Sequence, residues 1–150
     1  MIAGEGTEII ERPVEDCWGF VLDFERYMRA DTKIARVDWI RWDGDRAEIR
    51  YAGKLRGLPA STTVQVIDVQ PHRRIDVRSK PGTPQHAACR FHGWFTFDDL
   101  GDGRTRVTHR EEFDFRPPLR WLVEPRLRDW LAEDTRHEVT RMKELLEAGA

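Results

Sequence analysis

The chain has 150 residues, 39% hydrophobic and 35% charged, with a formal net charge of −2; this length suits one domain, residues 1–150, and six Trp and seven Phe exclude a disordered chain. Arg and Lys are interspersed with Asp and Glu, so the chain lacks the basic stripe of a nucleic-acid-binding surface. No apolar run is long enough to predict membrane insertion. Without a secretory leader, and with two isolated cysteines, we expect a cytoplasmic protein.

The chain opens with a predicted strand at Glu8-Ile9-Ile10-Glu11 and continues with two short helices. Proline suits a first helical turn, so Arg12-Pro13 starts the first helix, and Asp23 caps the second. Six further segments alternate between apolar and polar residues and end in turn residues such as Asp43-Gly44. These predicted strands are residues 34–42, 46–55, 61–69, 75–79, 88–98 and 105–115.

After Pro117 the hydrophobic pattern changes to that of a helix. Apolar residues, among them Leu119 and Leu122, recur every three or four positions up to Gly149. Because proline interrupts helical hydrogen bonding, we expect a short lead-in, a kink or restart at Pro125 and then a long main helix. A seven-stranded sheet must bury one face, and this helix is the only large element that can cover it. The element order therefore predicts an α+β fold.

Several short stretches of the sequence resemble the START/polyketide-cyclase (SRPBCC, birch-pollen-allergen-like) superfamily. They begin with Ile10-Glu-Arg-Pro-Val-Glu-Asp-Cys-Trp18 and Asp23-Phe-Glu-Arg-Tyr27, and continue through residues 70–75, 94–97, 103–108 and 142–147. The resemblance implies a helix-grip fold, in which a curved seven-stranded antiparallel sheet wraps around a long C-terminal helix and encloses a ligand cavity. Members bind or transport lipids, quinones, polyketides and plant hormones, and some cyclise or dehydrate polyketides.

Strand alternation predicts which residues face such a cavity, because side chains two positions apart share a face. In the last strand His109 and Glu111 fall on the inner, apolar face, although a buried charge is costly unless it is paired. With the apolar residues of the strands and the last helix, the predicted ligand-binding set is Tyr51, Phe91, Phe95, Phe97, His109, Glu111, Phe113, Trp130 and Met142.

Two carboxylates of the last helix join this set. At about 100° per residue, Glu138 lies within about 10° of the mean direction of the apolar stripe, and Asp134 within about 50°. One interpretation is a general acid and base, since facing carboxylates in a dry cavity raise one pKa. The other is a structural ion-pair network, in which Arg141 or His109 neutralises the acids.

We therefore expect a carrier or sensor that binds a hydrophobic small molecule, such as a lipid, quinone or polyketide. The alternative is a polyketide aromatase/cyclase or dehydratase with His109 or Glu111 as the base and Tyr51 as the acid or oxyanion donor. A third interpretation is protein binding through outward tryptophans, Trp94 and either Trp39 or Trp42. We expect no metal, since His109-x-Glu111 lacks a third and fourth ligand, no other cofactor, and a monomer or homodimer.

Overall fold

A computed structural model describes residues 1–149 and shows one antiparallel sheet with four helices. The sheet has the order β1-β7-β6-β5-β4-β3-β2, so only β1 lies away from its sequence neighbours, paired with β7. The strands are β1 (Ile2–Ile10), β2 (Ile34–Asp43), β3 (Arg46–Gly53), β4 (Ser61–Gln70), β5 (Arg74–Ser79), β6 (Cys89–Gly101) and β7 (Arg104–Phe115). The helices are α1 (Val14–Leu22), α2 (Phe24–Tyr27), α3 (Pro84–Ala88) and α4 (Leu119–Glu147).

The long helix α4 packs against β1 and β7, as a helix-grip fold requires. Gly4 of β1 permits this close approach, because a Cβ atom there would lie 2.6 Å from the carbonyl oxygen of Leu131. Two hydrophobic clusters fill the interior. The larger one, which includes Phe20, Ile67 and Phe95, joins the sheet to α1, α2 and the C-terminal part of α4. The smaller one surrounds Leu131 in the first half of α4.

The predicted α+β helix-grip architecture is confirmed, and the six later strands begin and end within three residues of their predicted bounds. The side chain of Asp23 accepts a hydrogen bond from the backbone of Arg26 and so caps α2, as expected. Two predictions were incomplete. The first strand starts at Ile2 because its pairing with β7 continues to Phe113, and a short helix, α3, precedes β6.

The expected restart of the helix at Pro125 is wrong, because α4 runs without interruption through this residue. Pro125 lies in the second turn, and the carbonyl it leaves unbonded belongs to Trp121, a residue that is 69% exposed. Leu119 and Leu122, predicted on the buried stripe, are 41% and 58% exposed. With Trp121 they form an exposed apolar surface that we name the Trp121 patch. No helix among residues 1–149 combines the length and apolar character needed to cross a membrane.

Candidate functional site

A cavity of about 280 Å³ lies between the inner face of the sheet and the helices. Its wall is mainly apolar and includes Ile49, Leu55, Ile75, Val77, Phe91 and Phe113. The cavity reaches the surface beside the loop that joins β3 and β4, where the lining residues Lys54 and Pro59 are exposed. Strand alternation produces this wall, since the residues of β5, β6 and β7 that line it lie two positions apart.

A cluster of buried ionisable side chains, organised around Lys33, interrupts the apolar wall. Lys33 ends the segment between α2 and β2, and its side chain is only 8% exposed. Its Nζ lies 2.7 Å from Oε1 of Glu138 and 2.8 Å from Oδ2 of Asp134, and 3.1 Å from both Oδ1 of Asp31 and Oε1 of Glu111. The Lys33 ammonium thus contacts one carboxylate of its own loop, one of β7 and two of α4. Such a buried charge is stable only because it is paired on every side.

His109 of β7 is the second buried cation of this region. Its Nδ1 lies 3.0 Å from the carbonyl oxygen of Trp94, and its Nε2 lies 2.8 Å from Oε2 of Glu138 and 3.2 Å from Oε1 of Glu111. A carbonyl and an ionised carboxylate only accept hydrogen bonds, so both ring nitrogens must donate and the ring is an imidazolium. The ring of Phe95 stacks on it, with centroids 3.8 Å apart.

The pKa of His109 agrees with this geometry. Burial alone would lower it, but the charge of Glu138 and the hydrogen bonds to Glu111 and Glu138 outweigh burial and raise the pKa to about 10. His109 therefore carries a proton at neutral pH and cannot act there as a general base. This removes one of the two bases considered from the sequence.

The carboxylates respond to the same charges. Burial raises the pKa of Glu111 and of Glu138, but the positive charges of Lys33 and His109 lower each pKa below its ordinary value. Asp31 differs, because burial and the charge of Glu138 together raise its pKa. Tyr27 donates its hydroxyl to Oε2 of Glu138, and burial and that carboxylate hold the tyrosine pKa far above its ordinary value. Glu111 and Glu138, the two acids that face both cations, are thus ionised and held in fixed pairs.

The structure brings together the four polar residues predicted from the sequence. His109 and Glu111 are inside the sheet, Asp134 and Glu138 face them from α4, and all four are buried. His109 and Glu111 also line the cavity, together with the predicted wall residues Tyr51, Phe91, Phe95 and Phe113.

Five residues of the predicted ligand-binding set lie outside the cavity wall. Asp134 and Glu138 contact Lys33 from behind the cavity wall and do not line the cavity. Phe97 is covered by α1, with its ring edge-to-face on Trp18 at 5.6 Å. Met142 is fully buried in the larger hydrophobic cluster, and Trp130 packs against the smaller one. Periodicity identifies the residues on the inner face of a strand or helix. It does not separate the hydrophobic core from the cavity wall, because both lie on that face.

Sequence reasoning missed Tyr27, Asp31 and Lys33 and offered Arg141 or His109 as the neutralising cation. In the structure the Arg141 Nε donates to the carbonyl of Ala30 at 2.8 Å, and its Nη2 is 3.9 Å from Oδ1 of Asp134. His109 pairs with Glu138 as expected, and Lys33 takes the role considered for Arg141. One signal was available, since an inner face with three predicted acids and one histidine requires a further cation.

The ligand atoms of His109, Glu111 and Glu138 all lie within 4.8 Å of one another, a spacing that a metal ion could bridge. The Lys33 ammonium, however, contacts both of these carboxylates and already supplies their counter-charge. A divalent ion placed there would meet this ammonium at close range. The arrangement therefore fits a protein-supplied cation better than a metal.

On the outer face of the sheet, the tryptophans predicted to face outward differ in accessibility. Trp94 is half-buried and lies 5.2 Å from the guanidinium of Arg74, while Arg41 covers Trp39 at 4.0 Å. Trp42 is 44% exposed. Protein binding through this face stays a prediction.

Comparison with protein families gives a match over residues 1–147 to a family described as polyketide cyclase / dehydrase and lipid transport. The comparison with curated protein sequences yields no match.

Solved structures share the fold over nearly the whole chain. The Zhui aromatase/cyclase from Streptomyces sp. R1128 is 16% identical, with a TM-score of 0.74 over 99% of this chain and 97% of its own. A START superfamily protein from Mycobacterium smegmatis is 16% identical, with a TM-score of 0.74 over 99% of both chains. TTHA0849 from Thermus thermophilus is 16% identical, with a TM-score of 0.72 over 99% of both chains. At these identities the likeness shows the fold alone.

Proposed function

The chain belongs to the polyketide cyclase/dehydrase and lipid transport family, and we propose that it is a carrier or sensor that binds a hydrophobic small molecule in its internal cavity. The observation that carries this proposal is the mainly apolar cavity with a buried polar cluster at His109, Glu111, Lys33, Asp31 and Tyr51. A cavity that is mainly apolar, with a few fixed polar groups, is the usual form of a small-molecule site. Its volume is near the lower end of the range of about 300–1,000 Å³ for such sites.

The state of the polar groups favours binding over catalysis. A general acid or base works best when its pKa is close to the working pH. The pKa of His109 is raised to about 10, and the pKa of Glu111 lies below its ordinary value. Both groups are engaged with each other and with Glu138 or Lys33. A fixed ion-pair network of this kind orients a ligand but exchanges protons poorly.

A second candidate function is that of a polyketide aromatase/cyclase or dehydratase. It is favoured by the position of the His109 imidazolium and the Glu111 carboxylate, which line the same cavity 3.2 Å apart. In such a reaction His109 would be the acid, Glu111 the base and Tyr51 a hydroxyl donor to a developing oxyanion. The Zhui aromatase/cyclase has the same fold.

The binding proposal is tested with N-phenyl-1-naphthylamine, an uncharged probe that fluoresces in apolar surroundings. We expect saturable binding to the wild-type protein at micromolar Kd, which corresponds to about 8 kcal/mol. Val77→Trp places a large indole ring in the cavity wall and should weaken binding at least tenfold.

Val64→Trp is the matched control, because Val64 precedes the lining residue Gln65 and lies on the opposite face of β4. It should bind the probe as the wild type does. Failure of the wild-type protein to give a saturable signal, or equal binding by Val77→Trp, would remove the proposed function. Circular dichroism checks that both variants are folded.

A further inference from the structure

The polar floor of the cavity is defined as Asp31, Lys33, Tyr51, His109 and Glu111, and together with Asp134 and Glu138 behind it contains more acidic than basic side chains. Lys33 and His109 are its two cations. Asp31 and Glu111, with Asp134 and Glu138 behind them, contribute four carboxylates around these cations. Arg141 approaches only Asp134, at 3.9 Å. Even with Arg141 counted, three basic side chains face four acidic ones.

Around Lys33 and His109, the hydrogen-bond acceptors also outnumber the donors. The three N–H groups of Lys33 face four carboxylates, and both N–H groups of His109 face oxygen atoms of Trp94, Glu111 and Glu138. These two cations therefore have no donor left for a ligand.

Two carboxylate oxygens stay available. Oε2 of Glu111 and Oδ2 of Asp31 accept no hydrogen bond from residues 1–149, since only their Oε1 and Oδ1 atoms are bonded. Both oxygens are accessible. Among residues 1–149, the only buried side-chain nitrogen or oxygen without a hydrogen-bond partner is Nη2 of Arg141, so these two unpartnered oxygens are not buried. Both residues line the cavity, so a ligand can reach these oxygens.

We propose that the cavity selects a ligand whose buried end is a hydrogen-bond donor without negative charge, such as a phenol or an alcohol, and rejects carboxylates and phosphates. A donor satisfies the available oxygens of Glu111 and Asp31, whereas an anion loses its hydration and meets like charge with no free ammonium or imidazolium in the floor to compensate. This inference rests on the proposed function and names the ligand class for the same cavity.

The test compares 2-naphthol with 2-naphthoate, which share one apolar body and differ at the polar end. Isothermal titration calorimetry of the wild-type protein at pH 7 should show naphthol binding at least tenfold more tightly. Naphthoate binding within tenfold of naphthol, or more tightly, overturns the inference while the proposed function stands. If neither compound binds and N-phenyl-1-naphthylamine also fails, the proposed function is wrong and the inference falls with it.

Glu111→Gln tests the charge directly, because it removes one negative charge from the floor and keeps an acceptor oxygen. The ratio of the two Kd values should fall at least threefold. Glu112→Gln is the matched control, since Glu112 lies on the outer face of β7 and pairs with Arg110 at 3.1 Å, and its ratio should stay unchanged. An unchanged ratio in a folded Glu111→Gln overturns the inference. Asp31→Asn gives the same test should Glu111→Gln not fold.

Discussion

Nζ of Lys33 lies 2.7 Å from Oε1 of Glu138 in the interior, although 105 positions separate the two residues. This contact joins the loop before β2 to the middle of α4. Through Glu111 and His109 it also reaches β7. The polar floor is therefore part of what holds the helix against the sheet, as well as one side of the candidate binding site.

Lys33→Met should destabilise the protein by roughly 3–5 kcal/mol, because it leaves buried carboxylates without their shared cation. Lys80→Met is the matched control, since Nζ of Lys80 also lies 2.7 Å from a carboxylate, Glu48, but the pair is about 40% exposed. That variant should cost less than about 1 kcal/mol. Urea unfolding measures both free energies, and equal losses would contradict the role given to Lys33.

His109→Ala should cost about 3 kcal/mol, because Glu138 and Glu111 then lose one of their two cations. His109→Gln keeps one side-chain donor but loses the charge, so we expect a substantial loss as well. The exposed neighbour of Glu138, His137, provides the control, and His137→Ala should change stability by less than about 0.5 kcal/mol. Unchanged unfolding midpoints in both His109 variants would show that the imidazole stabilises nothing.

The contribution of His109 should depend on pH in a defined direction. Its folded pKa of about 10 is above the ordinary 6.5, so its stabilisation is complete below about pH 6.5 and is lost as the pH rises through about 10. The free energy of unfolding of the wild type, minus that of His109→Gln, should fall between pH 6.5 and 10 by at most about 1.4 kcal/mol per unit. Parallel curves over this range would rule out a buried imidazolium.

Gly4→Ala should destabilise the protein by at least about 2 kcal/mol, since its Cβ would lie 2.6 Å from the backbone oxygen of Leu131 and force β1 away from α4. Gly19→Ala in α1 is the control, because a Cβ there meets nothing within 4 Å and alanine favours a helix. That variant should be neutral or stabilising by up to about 1 kcal/mol. Thermal and urea unfolding compare the two, and equal effects would contradict the tight packing of β1 on α4.

Much of the fold and part of the site could be predicted from the sequence, because side chains in strands and helices follow a regular period. Alternation placed His109 and Glu111 inside the sheet, and the helical period placed Glu138 opposite them. Asp31 and Lys33 lie in a loop, where no period tells the direction of a side chain. The place of Lys33 in the site depends on contacts with α4 more than 100 positions away.

Pro125 shows a different limit of sequence reasoning. The rule that proline breaks a helix holds where the lost hydrogen bond has no substitute. The helix α4 continues through Pro125 in its second turn, where the carbonyl that loses its hydrogen bond belongs to the exposed residue Trp121. Local sequence alone did not predict this outcome.

The central claim, that the cavity is the ligand site, is tested most directly by methyl NMR during titration with N-phenyl-1-naphthylamine. Ile75 and Val77 line the cavity, whereas Leu119 and Leu122 belong to the Trp121 patch outside it. We predict that the methyl signals of Ile75 and Val77 shift to saturation while those of Leu119 and Leu122 stay in place. Shifts confined to Leu119 and Leu122 would place the probe on the surface and contradict the claim.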